Sequence, residues 1–181
     1  MITPSQPSRP DLGTDLVRCM WRAMEAESSM PRTDTAARVI ADIFAQEVDL
    51  LRTVLDEHGW PGYRLVGERG SRAAWQIATY CGDDALQARA CGLLEKAVRQ
   101  QDADPVHYAL LADRLCLNRG EPQRFGTLYI PTHSGVLELY RVGERERLDD
   151  RCHALGLEPH AEYARSLRAD VLSPDVTSPP S

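Results

Sequence analysis

The sequence predicts a mainly α protein: a compact helical bundle of about six to seven helices with one small β-hairpin. Three observations carry that expectation. Apolar residues recur three or four apart over most of the chain, helix start and stop signals punctuate them, and only one short stretch is rich in β-formers.

Asp11 to Ser28 reads as the first helix, with Leu12, Leu16, Cys19, Met20 and Met24 on its apolar side. The break SSMPR ends it at Pro31. A long second helix starts near Asp34, and Ile40, Ile43, Phe44, Val48, Leu51 and Leu55 form a wide apolar stripe. It ends at His58-Gly59, since Gly59 takes the left-handed conformation after a helix and Pro61 forbids continuation. Trp60 to Gly70 contains three glycines and no helical period, which predicts an ordered loop. Ser71 is then expected to cap a third helix through Ala73, Ala74, Trp75, Ile77 and Ala78. Asp84 with Gln87 resembles a capping box opening a fourth helix to Gln101, buried through Leu86, Ala90, Leu93, Leu94 and Val98. Asp104-Pro105 places a cap and an N1 proline before a fifth, whose core face is Leu110, Leu111, Leu115 and Cys116.

Asn118-Arg119-Gly120 closes that helix. Phe125 to Ile130 and Val136 to Tyr140 predict two short strands around a Ser134-Gly135 turn. Helical spacing resumes from Glu144 to Leu155, and a last helix after Pro159 carries Tyr163, Leu167 and Val171. Residues 1–10 and 173–181, rich in proline and hydroxyl residues, are expected to be flexible ends flanking a single domain over 11–172.

Composition bounds the function classes. The chain has 181 residues, 43% hydrophobic and 27% charged, enough to bury a core without disulfides. A net charge of −6 without a polybasic run argues against nucleic acid as a partner. Of the 21 basic residues only Lys96 is lysine, which reads as codon bias in a high-GC bacterium. No stretch of about 18 apolar residues exists to span a membrane, and the first residues, MITPSQPSRP, lack the apolar core of a signal peptide. With five cysteines and no CxxC pair, the expected location is the cytoplasm, with thiols reduced. The expected partner is a small-molecule substrate or ligand, with a homodimer left open.

No metal site and no cofactor is expected. The five histidines never occur as HxH, HxxxH or HExxH, and Cys152-His153 point about 100° apart on a helix. Gly62, Gly67 and Gly70 match neither nucleotide-binding glycine pattern. Gly70-Ser71-Arg72 at the start of the third helix would suit an anion, though such a sequence is more often only a cap. Cys91 and Cys116 look structural, and the carboxylates beside Cys81 disfavour a thiolate.

What remains is a constellation of polar and aromatic residues. His58 follows a helix whose dipole favours positive charge there, with Trp60 beside it. Trp75 and Tyr80 lie on the third helix, Asp113 and Arg114 among leucines on the fifth, and Asn118 and Gln123 just after. One account is an Arg–Asp pair tying helices to a loop, with tryptophans filling core. The other is an aromatic-lined pocket in which His58 or Asp113 moves protons, Arg114 clamps an anion, and Trp60, Trp75, Tyr80, Asn118 and Gln123 bind the substrate.

The segments HGWPG (58–62), LVGERGSRAAW (65–75), LADRLCLNRGEPQRFGT (111–127) and LDDRCHALGLEPHAEY (148–163) resemble a bacterial family of unknown function over roughly residues 45 to 165. The resemblance implies a shared fold and no assigned reaction. His58, Trp60, Trp75, Asp113, Arg114 and Gln123 match its pattern. Thr79-Tyr80 stands where the family usually has Gln-His, Leu128 where it has glutamine, and Ala112 where threonine is common. The sequence thus leads to two expectations. The first is a cofactor-independent enzyme of specialised metabolism (a cyclase, lyase or hydrolase) acting by acid–base catalysis. The alternative is a non-catalytic module that binds a small molecule or a protein.

Overall fold

A computed structural model describes residues 6–131 and 137–172. Within them lie seven α-helices, one short 3-10 turn and one two-stranded antiparallel sheet. The mainly α class with a small hairpin is therefore what the chain adopts. The residues fall into two compact units, 1–111 and 112–181, with the boundary inside the fifth helix.

The first unit begins with α1 (Pro10–Ser29) and α2 (Asp34–His58). Pro10 sits at the start of α1, where its missing N–H costs nothing. Just before it, Ser8 and Arg9 donate their amides to the carbonyls of Arg64 and Leu65 at 2.9 and 2.7 Å, so this part of the leading segment is tied to the fold. Thr33 caps α2 by accepting from the Ala36 amide at 3.2 Å. Gly59 closes it with φ of +73°, its amide on the Leu55 carbonyl, as the HGWPG sequence predicts.

The expected loop over Trp60 to Gly70 is largely helix. α3 runs Tyr63–Tyr80 and is kinked at Gly67, where φ is +75° and ψ 173°. Ser71 consequently lies inside α3 rather than at its start, and its hydroxyl accepts the Trp60 indole N–H at 3.3 Å. Of the glycines that suggested a loop, Gly67 supplies the kink, and Gly62 and Gly70 serve close approach. A Cβ on Gly70 would stand 2.8 Å from the Gly13 Cα, so α1 and α3 touch backbone to backbone.

α4 is Asp84–Arg99. Its cap is Asp83, one residue earlier than expected, accepting from Ala85 and Leu86 at 3.0 Å. Gln87, instead of completing a capping box, is buried and donates to the carbonyls of Ala78 and Thr79 at the end of α3. α5 (Pro105–Asn118) opens as predicted, with Asp104 accepting from the Val106 amide at 2.8 Å. Leu16, Leu51 and Leu94 are fully enclosed in this unit, each stabilising it by about 1.5–3 kcal/mol.

In the second unit the strands are shorter than the sequence suggested. β1 (Tyr129–Pro131) pairs with β2 (Leu137–Leu139), Tyr129 opposite Leu139. The expected Ser134-Gly135 turn lies outside the described residues, as do 1–5 and 173–181. Residues 125–128, expected to begin a strand, belong instead to a turn held by side chains. A 3-10 turn, Arg145–Arg147, leads into α6 (Leu148–Ala154), and α7 is His160–Leu172.

Candidate functional site

An apolar hollow whose lining includes a buried ionisable group lies among α1, α2 and α3. It is a cleft of about 520 Å³, bordered by Met20 and Met24 from α1, Phe44 and Glu47 from α2, and Ile77 and Tyr80 from α3. Its volume is ordinary for a small-molecule site. Ala23, which also lines the cleft, packs with Ala26 and Ile43 in a buried α1–α2 cluster, with Phe44 laid against them.

Glu47 is placed there by helix geometry. It stands four residues after Ile43 and four before Leu51, on the buried face of α2. Its residue is only 5% exposed, and the enclosed Oε1 has no hydrogen-bond partner among the described residues. Arg22 on α1 donates instead to neighbouring Gln46 at 3.0 Å. Burial without compensation pushes the Glu47 carboxyl up to about 7. The carboxyl is thus poised between acid and base at neutral pH. Cys19, half-buried on α1, has its thiol pushed up by burial and by the Glu47 charge, which disfavours a thiolate.

The residues singled out from the sequence are distributed among several settings. Tyr80, 66% exposed, stands on the rim of the Glu47 cleft. His58 and Trp60 share a different recess of about 300 Å³ with Arg64, Lys96 and Asp102. There the His58 Nε2 lies 3.6 Å from a Glu57 oxygen, and the Asp102 carboxylate accepts the Arg64 amide at 2.8 Å. Trp75 stacks on His107 with ring centroids 4.2 Å apart and planes 10° from parallel. Its indole N–H is enclosed and unpartnered. Burial lowers the His107 pKa, with nearby Arg72 adding to that and Asp104 opposing it.

Asp113, Arg114, Asn118 and Gln123 belong to the second unit. Asp113 is completely enclosed, and both of its oxygens are occupied. Oδ1 accepts the amides of Arg124 and Phe125 at 2.7 and 2.9 Å, and Oδ2 accepts the amide and hydroxyl of Thr127 at 2.8 and 2.9 Å. This geometry makes Asp113 a positioning residue for the 124–127 turn. It leaves no lone pair facing a substrate. Gln123 is likewise committed, donating to the carbonyls of Leu128 and Tyr140 at 3.0 Å and accepting the Leu128 amide at 2.7 Å. Arg114 is half-buried on α5 and Asn118 is exposed at its end.

The same turn explains the PQRFGT stretch. Phe125 is core, Gly126 holds φ of +66°, and a Cβ there would press on His160 Nε2 at 2.9 Å. That His160 nitrogen lies 3.0 Å from the Gly126 carbonyl and 3.1 Å from the Tyr129 hydroxyl. Arg151 closes the far side, donating to the carbonyls of Arg124, Gly143 and Glu144. Among the described residues no group of three or more His, Cys, Asp or Glu side chains is arranged to hold a metal ion, and no helix is long and apolar enough to cross a membrane.

A model of a family of unknown function, DUF6624, matches residues 19–173. The chain belongs to that family. No curated protein and no solved structure matches it. The DUF6624 match takes in every residue lining the Glu47 cleft as well as the Asp113 turn.

Proposed function

We propose that this DUF6624 chain is a cofactor-independent acid–base enzyme that moves a proton on a small, largely apolar molecule held in the Glu47 cleft. One observation carries the reading: Glu47, a residue 5% exposed whose enclosed Oε1 has no partner among the described residues, lines a hollow walled by methionine and aromatic side chains. Burying such a group costs stability, and arrangements of this kind concentrate at working sites. Glu47 takes the acid–base role that the sequence assigned to His58 or Asp113. Tyr80 keeps the substrate-facing position assigned to it. The five free cysteines suit a reducing compartment such as the cytoplasm.

Binding without turnover is the second reading. It is favoured by Met20 and Met24, whose unbranched side chains adapt to many ligand shapes.

A generic proton-transfer probe separates the two. 5-Nitrobenzisoxazole is a flat apolar molecule. A base takes its carbon-bound proton, the ring N–O bond breaks, and a coloured phenolate is released. The expected result is a rate above that of Glu47→Gln, rising as pH passes through about 7 with ionisation of the carboxyl. Equal rates for the two proteins across pH 6–9 would remove the catalytic reading.

A further inference from the structure

The charges around the Glu47 cleft narrow the chemistry of its occupant. Two carboxylates line it, Glu47 within and Glu27 at the exposed mouth, and among the described residues no arginine, lysine or histidine does. The remaining polar lining is Gln76 and the Tyr80 hydroxyl. Arg22, on the neighbouring helix, is engaged by Gln46 at 3.0 Å. An anionic ligand would therefore meet two like charges and no donor of positive charge. A neutral ligand would offer Oε1 an ordinary hydrogen bond. A cation would supply the missing partner and the missing charge together, and charge-assisted bonds are about twice as strong as neutral ones.

The apolar walls fit the same occupant. Phe44 and Tyr80 line the cleft, and aromatic rings attract ammonium groups. Met20, Met24 and Ile77 offer apolar surface for a body of aromatic size. Resting on the reading of this cleft as the ligand site, we infer that it takes a primary amine on an apolar body, bound as the ammonium with its nitrogen at Glu47 and its body between α1 and α3.

Three probes of nearly equal shape test this by isothermal titration calorimetry on the full chain at pH 8: 2-phenylethylamine, 2-phenylethanol and 3-phenylpropionate. The amine is expected to bind at least about tenfold more tightly than the alcohol, and the carboxylate to give no binding heat. Glu47→Gln, checked for fold by circular dichroism, is expected to bring amine and alcohol to the same affinity. Glu27→Gln should reduce the amine preference only slightly. Alcohol binding as tight as amine, any binding of the carboxylate, or an undiminished preference in Glu47→Gln overturns the inference. If Glu47→Gln does not fold, the amine-to-alcohol ratio of the wild type alone decides. An alcohol that binds while the amine gains nothing sinks the amine inference and leaves the cleft reading standing. Absence of binding by all three sinks the amine inference, whereas the cleft's acid–base reading stands or falls separately on the benzisoxazole rates.

Discussion

Replacing Glu47 by glutamine should change how stability depends on pH. In the folded chain the carboxyl holds its proton up to about 7, against an ordinary glutamate value of 4.5. Between those values the unfolded chain releases the proton and the folded chain keeps it. Stability therefore falls as pH rises from 4.5 towards 7 and is flat above. At about 1.4 kcal/mol per pH unit the full loss reaches ~3 kcal/mol. Solvent in the cleft screens part of the burial cost, so a realistic loss is ~1–3 kcal/mol, or a fall of ~3–10 °C in Tm for a chain of this size. Glutamine has nearly the same shape and cannot ionise. The variant should lack this decline and exceed the wild type in stability at pH 8. Urea denaturation at pH 5 and pH 8, followed by far-UV circular dichroism, measures both proteins in the same buffers. Parallel pH dependence in the two would mean that Glu47 is ionised and hydrated throughout, and the reasoning from its burial would fail.

Other expected outcomes rest on separate contacts. Asp113→Ala should destabilise the second unit by about 3–5 kcal/mol, since it strips a shared acceptor from three amides and one hydroxyl. Hydrogen exchange at residues 124–128 should accelerate with it. Gly62→Ala should cost at least about 1–3 kcal/mol in urea denaturation, because the added Cβ runs into the backbone and carboxylate oxygens of Asp102. His107 acts in the opposite sense to Glu47. Its burial-lowered pKa means that its stabilising contribution is complete above 6.5 and is lost as pH falls from there to its folded value. His107→Phe should keep the stack on Trp75 and remove that acid-side loss, as Tm measured between pH 5 and 7 would show.

Features set by neighbouring residues were legible in the sequence. The end of α2 at His58-Gly59 and the Asp104-Pro105 start of α5 need only local backbone geometry and capping, and both occur as read. The path from Trp60 to Gly70 was not legible in the same way. Its glycines look like loop residues, yet Gly70 is required by a backbone more than fifty positions away, at Gly13. A long-range approach of that kind leaves no local trace. In sequence Asp113 reads as a charge near a core face, but its partners lie across a turn whose side-chain bonding replaces the start of an expected strand. Glu47 carries only a faint sequence signal: the interval 43–47–51 on an otherwise apolar stripe. Sequence spacing places that carboxylate on the inward face of α2. Only the absence of a partner from α1 or α3 turns it from a satisfied core acid into a candidate site.

The placement of the tryptophans offers a practical consequence. Trp21, Trp60 and Trp75 all precede residue 111, so indole emission reports on the first unit alone. Tyr129, Tyr140 and Tyr163 are the aromatic hydroxyls of the second. Because Trp75 lies flat on His107, and a protonated imidazole quenches an adjacent indole, its brightness should also track the charge on that ring. The chain thus carries an intrinsic optical label for the first unit, with which melting of that unit can be followed without attaching any dye.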